Sequence, residues 1–127
     1  MLKYVELKTG YSGNGPAWIA RVTVSKTGRT VYFNGKALKR IGKGGRSGNH
    51  YDIESGDEYW VSGIKKSGLD RHWAGSGRVR IEASAVSEYL ELVGALELEA
   101  SRFEVVADLP ATDPDRFLAL ENAAREP

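Results

Sequence analysis

Cysteine is absent from this chain of 127 residues, which also has only two histidines and one methionine. The absence of cysteine excludes disulfides, thiolate metal sites and cysteine nucleophiles. No apolar run approaches the roughly 18 residues that cross a bilayer, so we expect no membrane-spanning segment and no membrane partner. The N-terminal residues Met1–Glu6 alternate and carry charge, unlike the apolar core of a signal peptide. We therefore predict a cytoplasmic protein.

Acidic residues are scarce in the first two thirds of the chain. Residues 1–81 contain fifteen Lys or Arg and six Asp or Glu, a balance of +9, whereas residues 82–127 contain three and eleven, a balance of −8. Clustered cations attract anions over a Debye length of about 10 Å. The first part therefore predicts a partner rich in phosphate, either RNA, DNA or a phosphorylated small molecule. The acidic part repels the same partner or covers the basic surface.

The basic part has the pattern of short strands joined by glycine-containing turns. Residues 17–26 give the strongest strand signal, and Ser25–Gly28 and Asn34-Gly35 are typical of tight hairpin turns. Further strands are predicted at residues 4–8, 29–34, 36–41, 51–54, 58–65 and 78–82. Short strands at this spacing favour a mainly β, α+β fold: a small antiparallel barrel, SH3-like or, as the alternative, OB-like.

The acidic part has a helical pattern at its start. The apolar residues Val86, Tyr89, Leu90 and Val93 form one stripe, and Gly94 suits the end of the helix. We therefore predict a basic barrel domain with a C-terminal helix at residues 1–94. Residues 95–127 form an acidic extension packed on or beside it, which is a dimerisation arm, a cover for the basic surface or a solvated acidic face.

Three shorter elements are expected within the extension. Residues 96–99 alternate apolar with acidic side chains, and of strand and continued helix we favour strand. A second strand is predicted at residues 103–106. Asp113-Pro114 fits the start of a short helix that places Phe117, Leu120 and Ala124 on one side.

Aromatic residues concentrate in the basic part. In Tyr32-Phe33 and Tyr59-Trp60, neighbouring side chains point to opposite faces of a strand, so one ring of each pair is expected in the core and the other on the outer face. An outward ring flanked by Lys or Arg is typical of a surface that stacks nucleobases. We select Tyr59, together with Trp73 from a polar loop, as ligand-contacting aromatics; filling of a small core is the alternative for each ring.

The segment from Lys65 to Trp73 carries the densest chemistry. Lys65, Lys66 and Arg71 are candidate phosphate ligands, because ammonium and guanidinium groups bind phosphate oxygens. His72 suits acid–base work, and Asp70 either orients it or pairs with Arg71. With His50 as a second proton-transfer group, these residues would form a catalytic site only if two separate loops converge.

A glycine-rich loop supplies two more candidate cations. Residues 42–49 contain four glycines together with Lys43 and Arg46, and this polar loop can wrap an anion with its backbone amides. It does not match the P-loop pattern. His and acidic residues show no short ligand spacing, so we predict neither a bound metal nor a cofactor.

Several segments resemble a group of short bacterial proteins of undefined function. The resemblance rests on residues 4–12, 15–19, 30–33 and 59–63, on Lys65-Lys66 and on Asp70–Trp73. It covers roughly residues 3–93, and the acidic extension lies outside it. Some members of the group carry the name of a thiamine-dependent deoxyxylulose phosphate synthase, but this chain is too short for that enzyme's domains and has no diphosphate-binding signature. The resemblance implies no functional residues.

Three functions are consistent with these patterns. The first is a non-enzymatic binding module for nucleic acid or another phosphate-bearing ligand, which we favour because of the charge segregation. The second is a small enzyme that processes a phosphodiester or nucleotide with His72 and His50. The third is a protein-interaction module whose basic surface meets an acidic partner, including the extension of a second copy in a homodimer.

Overall fold

A computed structural model describes residues 1–8, 15–42, 48–67 and 77–125. They form one mainly β sheet of nine strands and two short α-helices, which confirms the predicted mainly β, α+β class. The strands are β1 Leu2–Leu7, β2 Ala17–Arg21, β3 Thr23–Val24, β4 Thr30–Phe33, β5 Lys36–Arg40, β6 His50–Asp52, β7 Glu58–Ser62, β8 Val79–Glu82 and β9 Phe103–Val106; the helices are α1 Val86–Val93 and α2 Leu118–Arg125.

A bent strand makes the sheet curl into a barrel-like shape. The strand order is β3-β4-β5-β6-β7-β1-β2-β8-β9, and only Val22 separates β2 from β3. The first half of this bent segment pairs with β1, whereas its second half pairs with β4 at the other side of the sheet. The Val22 amide donates to the Met1 carbonyl at 2.8 Å, which holds the bend. The predicted strand at 17–26 therefore exists as two pieces with a corner.

The inner face of the curled sheet holds the larger core. Its buried residues are Val5, Trp18, Ala20, Val22, Val31, Phe33, Leu38, Tyr59 and Val61. The Trp18 and Phe33 rings meet edge to face, with centroids 5.3 Å apart. Strand alternation puts Tyr4, Ile19 and Ile81 on the outer face, where they form a second core with Tyr89 of α1. The sheet is therefore covered on both faces.

The predicted hairpin turns are present. Gly28 and Gly35 both have φ above +70°, and Asn34 also has a positive φ of 50°. Consecutive positive φ values at Asn34 and Gly35 are those of a type I′ turn, which matches the twist of the two strands it joins. These turns fix the registers of β3–β4 and β4–β5.

The last two strands depart from the expected antiparallel arrangement. Strand β8 pairs with β2 in parallel, and β9 pairs with β8 in parallel. Helix α1 and the turn after it connect β8 to β9, and a connection of this length lets the chain return in the same direction. The sheet consequently has an antiparallel barrel-like part and a parallel addition.

Helix α1 follows the predicted stripe. A 3₁₀ turn at Ala83–Ala85 precedes it, and Gly94 ends it with a left-handed φ of 70°. Tyr89 is buried, and Val86 and Val93 pack beside it against the outer core. The strand predicted at residues 96–99 is wrong. Gly94 ends the helix, the Arg102 and Phe103 amides donate to the Glu99 carbonyl, and Leu96 is fully exposed and pairs with none of the nine described strands.

The C-terminal element docks on the outer face of β4 and β5. Asp113 accepts a hydrogen bond from the Asp115 amide, as predicted for the start of a helix, and a 3₁₀ turn at Pro114–Phe117 leads into α2. Phe117 is fully buried against Tyr32 and Ala37. Leu120 does not join the apolar side as predicted, because Glu121 turns inward to accept a hydrogen bond from the Tyr32 hydroxyl at 2.9 Å. Leu120 therefore stays 41% exposed.

Within the described ranges, neither helix is long and apolar enough to cross a membrane.

Candidate functional site

A basic cleft opens at one end of the barrel-like sheet. Its volume is about 550 Å³, and residues from β1, β3, β4, β5, β6, β7 and the β3–β4 turn line it. Three cations lie in this lining, together with an imidazole and a carboxamide: Lys3, Lys26, Arg40, His50 and Asn49. No described lining residue is Asp or Glu. A cleft with only positive charges in its wall attracts anions and concentrates them.

The cations of the basic cleft differ from most other cations in the described part of the chain. Lys3, Lys26 and Arg40 enter no ion pair with a described residue, and neither does the neighbouring Arg29, whose carbonyl accepts the Arg40 amide at 2.8 Å. Elsewhere, by contrast, six described cations pair with carboxylates: Lys8, Arg21, Lys36, Arg80, Arg102 and Arg116. Lys8 lies 2.8 Å from Glu6, for example, and Arg21 lies 2.7 Å from Glu88. Three cations without a described ion-pair partner therefore lie together where the barrel opens.

Asn49 fixes the orientation and the tautomer of His50. The Asn49 amide nitrogen donates to the Val61 carbonyl, and its oxygen accepts from the Val61 amide, both at 2.8 Å. The same oxygen lies 2.9 Å from His50 Nδ1. Because a carboxamide oxygen can only accept, Nδ1 carries the proton of the neutral ring. Nε2 is then left with a free lone pair.

Burial and the nearby cations keep the His50 ring neutral. Burial lowers the pKa of His50 from 6.5 to about 4, and the positive charges of Arg40 and Lys3 act in the same direction. His50 is only 7% exposed but lines the basic cleft. In the part of the chain that the structure describes, Nε2 has no hydrogen-bond partner. Among the same residues, the only fully buried side-chain nitrogen or oxygen without a partner is Thr112 Oγ1, so Nε2 is not fully buried. Nε2 therefore keeps contact with solvent.

The aromatic pair of β7 divides between the two faces as predicted. Tyr59 lies on the inner face in the core, 4% exposed, where burial and then the charges of Asp52 and Asp57 raise its pKa to about 12. Its ring is packed and not open for stacking. Trp60 is 42% exposed on the outer face. Sequence alternation identified the pair, but only the packing shows which ring faces solvent.

Trp60 lies at the level of the basic cleft. His50 pairs with Tyr59 in the register of β6 and β7, and Trp60 is the next residue of β7. The indole and the imidazole are therefore on opposite faces of the sheet at nearly the same height. Tyr51, which is partly exposed, shares the outer face with Trp60 and is the register partner of Lys39 on β5. On the outer face, the other register partners of these rings are carboxylates: Glu6 opposite Trp60 and Glu58 opposite Tyr51.

The other predicted ligand residues are distributed as follows. Lys65 and Lys66 are exposed after β7 and do not line the basic cleft. The remaining candidates lie outside the described residues: Lys43, Arg46, Asp70, Arg71, His72 and Trp73. In the sequence, Lys43 and Arg46 stand between β5, which ends at Arg40, and β6, which begins at His50. Convergence of His72 with His50 stays a prediction.

The sequence did not predict any of the three cations of the basic cleft as ligand residues. Lys3, Lys26 and Arg40 stand on different strands and turns, and nothing in their spacing along the chain links them. The only available signal was the basic residue at position 40 in the predicted third strand, together with the excess of cations before residue 82. The curl of the sheet brings them together.

A second cavity, of about 430 Å³, lies between β2, β4 and residues 108–112. Its wall includes the buried Glu82, which accepts hydrogen bonds from the Arg21 amide at 2.6 Å and the Leu109 amide at 2.8 Å. Asp108 also lines it. These carboxylates repel an anion, so the basic cleft is the better candidate for the predicted ligand. Among the described residues, no three His, Asp or Glu lie close enough to hold a metal ion.

No protein-family model matches the chain, and neither a curated protein nor a solved structure shows significant similarity to it. These comparisons leave the resemblance to short bacterial proteins as a prediction.

Proposed function

We propose that the protein binds single-stranded nucleic acid at the open end of its barrel. The observation that carries this proposal is the group of unpaired cations, Lys3, Lys26 and Arg40, in a cleft without a described carboxylate. Phosphodiesters are the anions that such a group would bind most strongly when several of them arrive on one chain. The cations would hold the backbone and release its counterions.

The exposed rings on the same level support nucleic acid over a small phosphorylated molecule. Trp60 and Tyr51 lie on the outer face, outside the basic cleft, and Tyr51 is the register partner of Lys39. A single small ligand in the cleft could not reach them, whereas a strand passing over the end of the barrel would meet both surfaces. Base–aromatic stacking adds about 1–3 kcal/mol per base. Two further cations, Lys43 and Arg46, lie outside the described residues and stand between β5 and β6 in the sequence.

An enzymatic function receives less support. Acid–base cleavage of a phosphodiester needs two proton-transfer groups, and His50 is the one histidine among the described residues. A pKa near 4 also makes it a weak base at neutral pH. His72 and Asp70 stay candidates for the second group. We therefore propose a binding module without a catalytic role.

The test is fluorescence anisotropy with labelled single-stranded RNA, single-stranded DNA and duplex DNA at several salt concentrations. Arg40→Gln removes one unpaired cation, and Arg102→Gln is the charge-matched control because Arg102 lies 3.9 Å from Glu99 and away from the cleft. We expect Arg40→Gln to weaken single-strand binding about fivefold and to lower the salt slope by about 0.7, the value for one phosphate contact. The control should bind within about twofold of the wild type.

Two outcomes would contradict the proposal. No binding of any nucleic acid at low salt would remove it. Equal losses in Arg40→Gln and Arg102→Gln would show that only net charge matters and that the cleft is not the site. The pair Lys65→Gln/Lys66→Gln, measured in the same assay, tests whether these two predicted ligands belong to the interface.

A further inference from the structure

The basic cleft contains one hydrogen-bond acceptor that its cations cannot satisfy. Asn49 holds the proton of His50 on Nδ1, so Nε2 accepts and does not donate. The groups that stand around it, Lys3, Arg40 and the Tyr59 ring, belong to β1, β5 and β7. Nε2 has no partner among the described residues. A ligand that fills the cleft and displaces water must therefore offer Nε2 a donor.

Arg40 and His50 are positioned to contact neighbouring groups of one ligand. They are register partners on β5 and β6, and both side chains line the cleft. Side chains of directly opposed residues start about 4.5–5.5 Å apart. When Arg40 holds a phosphate, the ligand atoms bonded next to that phosphate therefore lie within reach of the imidazole.

A ribonucleotide places a donor at that distance from its phosphate. The 2′-hydroxyl is on the carbon next to C3′, which carries the phosphodiester oxygen, and it can donate a hydrogen bond. Deoxyribose has only hydrogen there, and this difference allows a protein to distinguish RNA from DNA. We propose that His50 makes the basic cleft selective for RNA, with Nε2 accepting a hydrogen bond from the 2′-hydroxyl of the nucleotide whose 3′-phosphate is held by Arg40. This inference rests on the proposed function.

The expected selectivity follows from the unpaired acceptor. DNA in the cleft would bury Nε2 without a donor, and a buried polar group left unpaired weakens binding about 5- to 150-fold. His50→Phe removes the acceptor and keeps a ring of similar size, while Asn49 retains both hydrogen bonds to Val61. In the variant, DNA no longer leaves Nε2 unpaired, and the 2′-hydroxyl of RNA loses its acceptor. DNA affinity should therefore rise, RNA affinity should fall, and the variant should bind the two with similar strength or prefer DNA.

The experiment compares three oligonucleotides of one sequence by anisotropy: RNA, DNA and a fully 2′-fluoro strand. The 2′-fluoro sugar keeps the RNA-like pucker but lacks the donor. We expect the wild-type protein to bind RNA at least about fivefold more tightly than the other two. Equal affinities for RNA and DNA would overturn the inference and leave the proposed function standing, whereas absence of binding to all three would remove the proposed function. RNA-like binding of the 2′-fluoro strand would assign the selectivity to sugar shape and overturn the role of His50.

A measurement on the wild-type chain covers the case in which His50→Phe does not fold. Long-range ¹H–¹⁵N spectra report the tautomer and the hydrogen bonds of both histidine rings. Free protein should show His50 protonated on Nδ1 only, and RNA but not DNA should shift the Nε2 signal. A proton on Nε2 in the free protein, or the same Nε2 shift with DNA, would contradict the inference.

Discussion

Truncating Phe117 tests whether the acidic extension belongs to the folded unit. The ring is fully buried against Tyr32, Ala37 and Ile53, on the outer face of β4 and β5. Phe→Ala at such a site costs about 3–5 kcal/mol, and we expect the low end, about 3 kcal/mol, because a terminal segment can partly close the cavity. That is a large part of a typical folding free energy of about 5–15 kcal/mol.

The assay is urea unfolding followed by tryptophan fluorescence and by amide hydrogen exchange. Trp18 lies inside the barrel and is 9% exposed, so the loss of its buried environment reports on the first part of the chain. Leu118→Ala is the matched control, because Leu118 is the next residue and 51% exposed; its cost should stay within about 0.5 kcal/mol.

A cost below about 1 kcal/mol for Phe117→Ala, or one equal to that of Leu118→Ala, would refute the reasoning. Such a result would mean that residues 1–94 fold without the extension, as the predicted domain division implies. A chain truncated after Gly94 lacks strand β9 and the residues that cover Tyr32. A loss of about 3 kcal/mol in Phe117→Ala would mean that such a truncated chain is too unstable for binding assays.

Three further predictions concern single residues. Gly48→Ala should lower the free energy of unfolding by at least about 2 kcal/mol in a thermal melt, because a Cβ would lie 2.5 Å from the Tyr59 carbonyl oxygen. Gly42→Ala is the control: its Cβ would meet no neighbour, and the free energy should change by less than about 0.5 kcal/mol. Tyr32→Phe should cost about 1–3 kcal/mol in free energy of unfolding, because it leaves the Glu121 carboxylate without its hydroxyl partner. Burial and then Glu121 raise the pKa of Tyr32 to about 12, as burial and nearby carboxylates do for Tyr59, so absorbance titration of the variant should show one fewer tyrosine near pH 12 than the wild type; an unchanged titration would contradict the contact. His50 takes up its proton near pH 6.5 in the unfolded chain and only near pH 4 in the folded protein, so the free energy of unfolding should fall as the pH drops through this window. In urea unfolding, His50→Phe should remove about 1–2 kcal/mol of that fall. Identical pH dependence in both proteins would contradict the lowered pKa of His50.

Local patterns in the sequence predicted most of the strands and turns. Gly28 and Asn34-Gly35 were identified because positive φ values suit few other residues, and the stripe of α1 was identified because its apolar residues recur at helical spacing. The strand prediction for residues 96–99 was wrong because alternating side chains form a strand only when a neighbouring strand is available to pair. The parallel pairing of β8 with β2 joins segments far apart in sequence, and no local pattern reports it.

The sequence predicted the charge of the ligand but not the position of the site that would bind it. The excess of cations before residue 82 predicted an anionic ligand, and that prediction concerns composition alone. The positions depend on the corner at Val22, because the chain pairs with β1 before it and with β4 after it. Lys26 therefore lines one opening together with Lys3 and Arg40. The choice between Tyr59 and Trp60 likewise depends on which face the curl encloses.

The docking of Phe117 and Glu121 on Tyr32 has a consequence for how the chain is made. A ribosome releases residues 30–40 early, and these strands can pair at once because their turns are local. The outer side of that hairpin nevertheless stays uncovered until most of the remaining chain has followed, since its cover lies at residues 117–121. A nascent or prematurely terminated chain therefore presents Tyr32 to other chains. The synthesis of residues 117–121 therefore decides when this face of the hairpin can be covered.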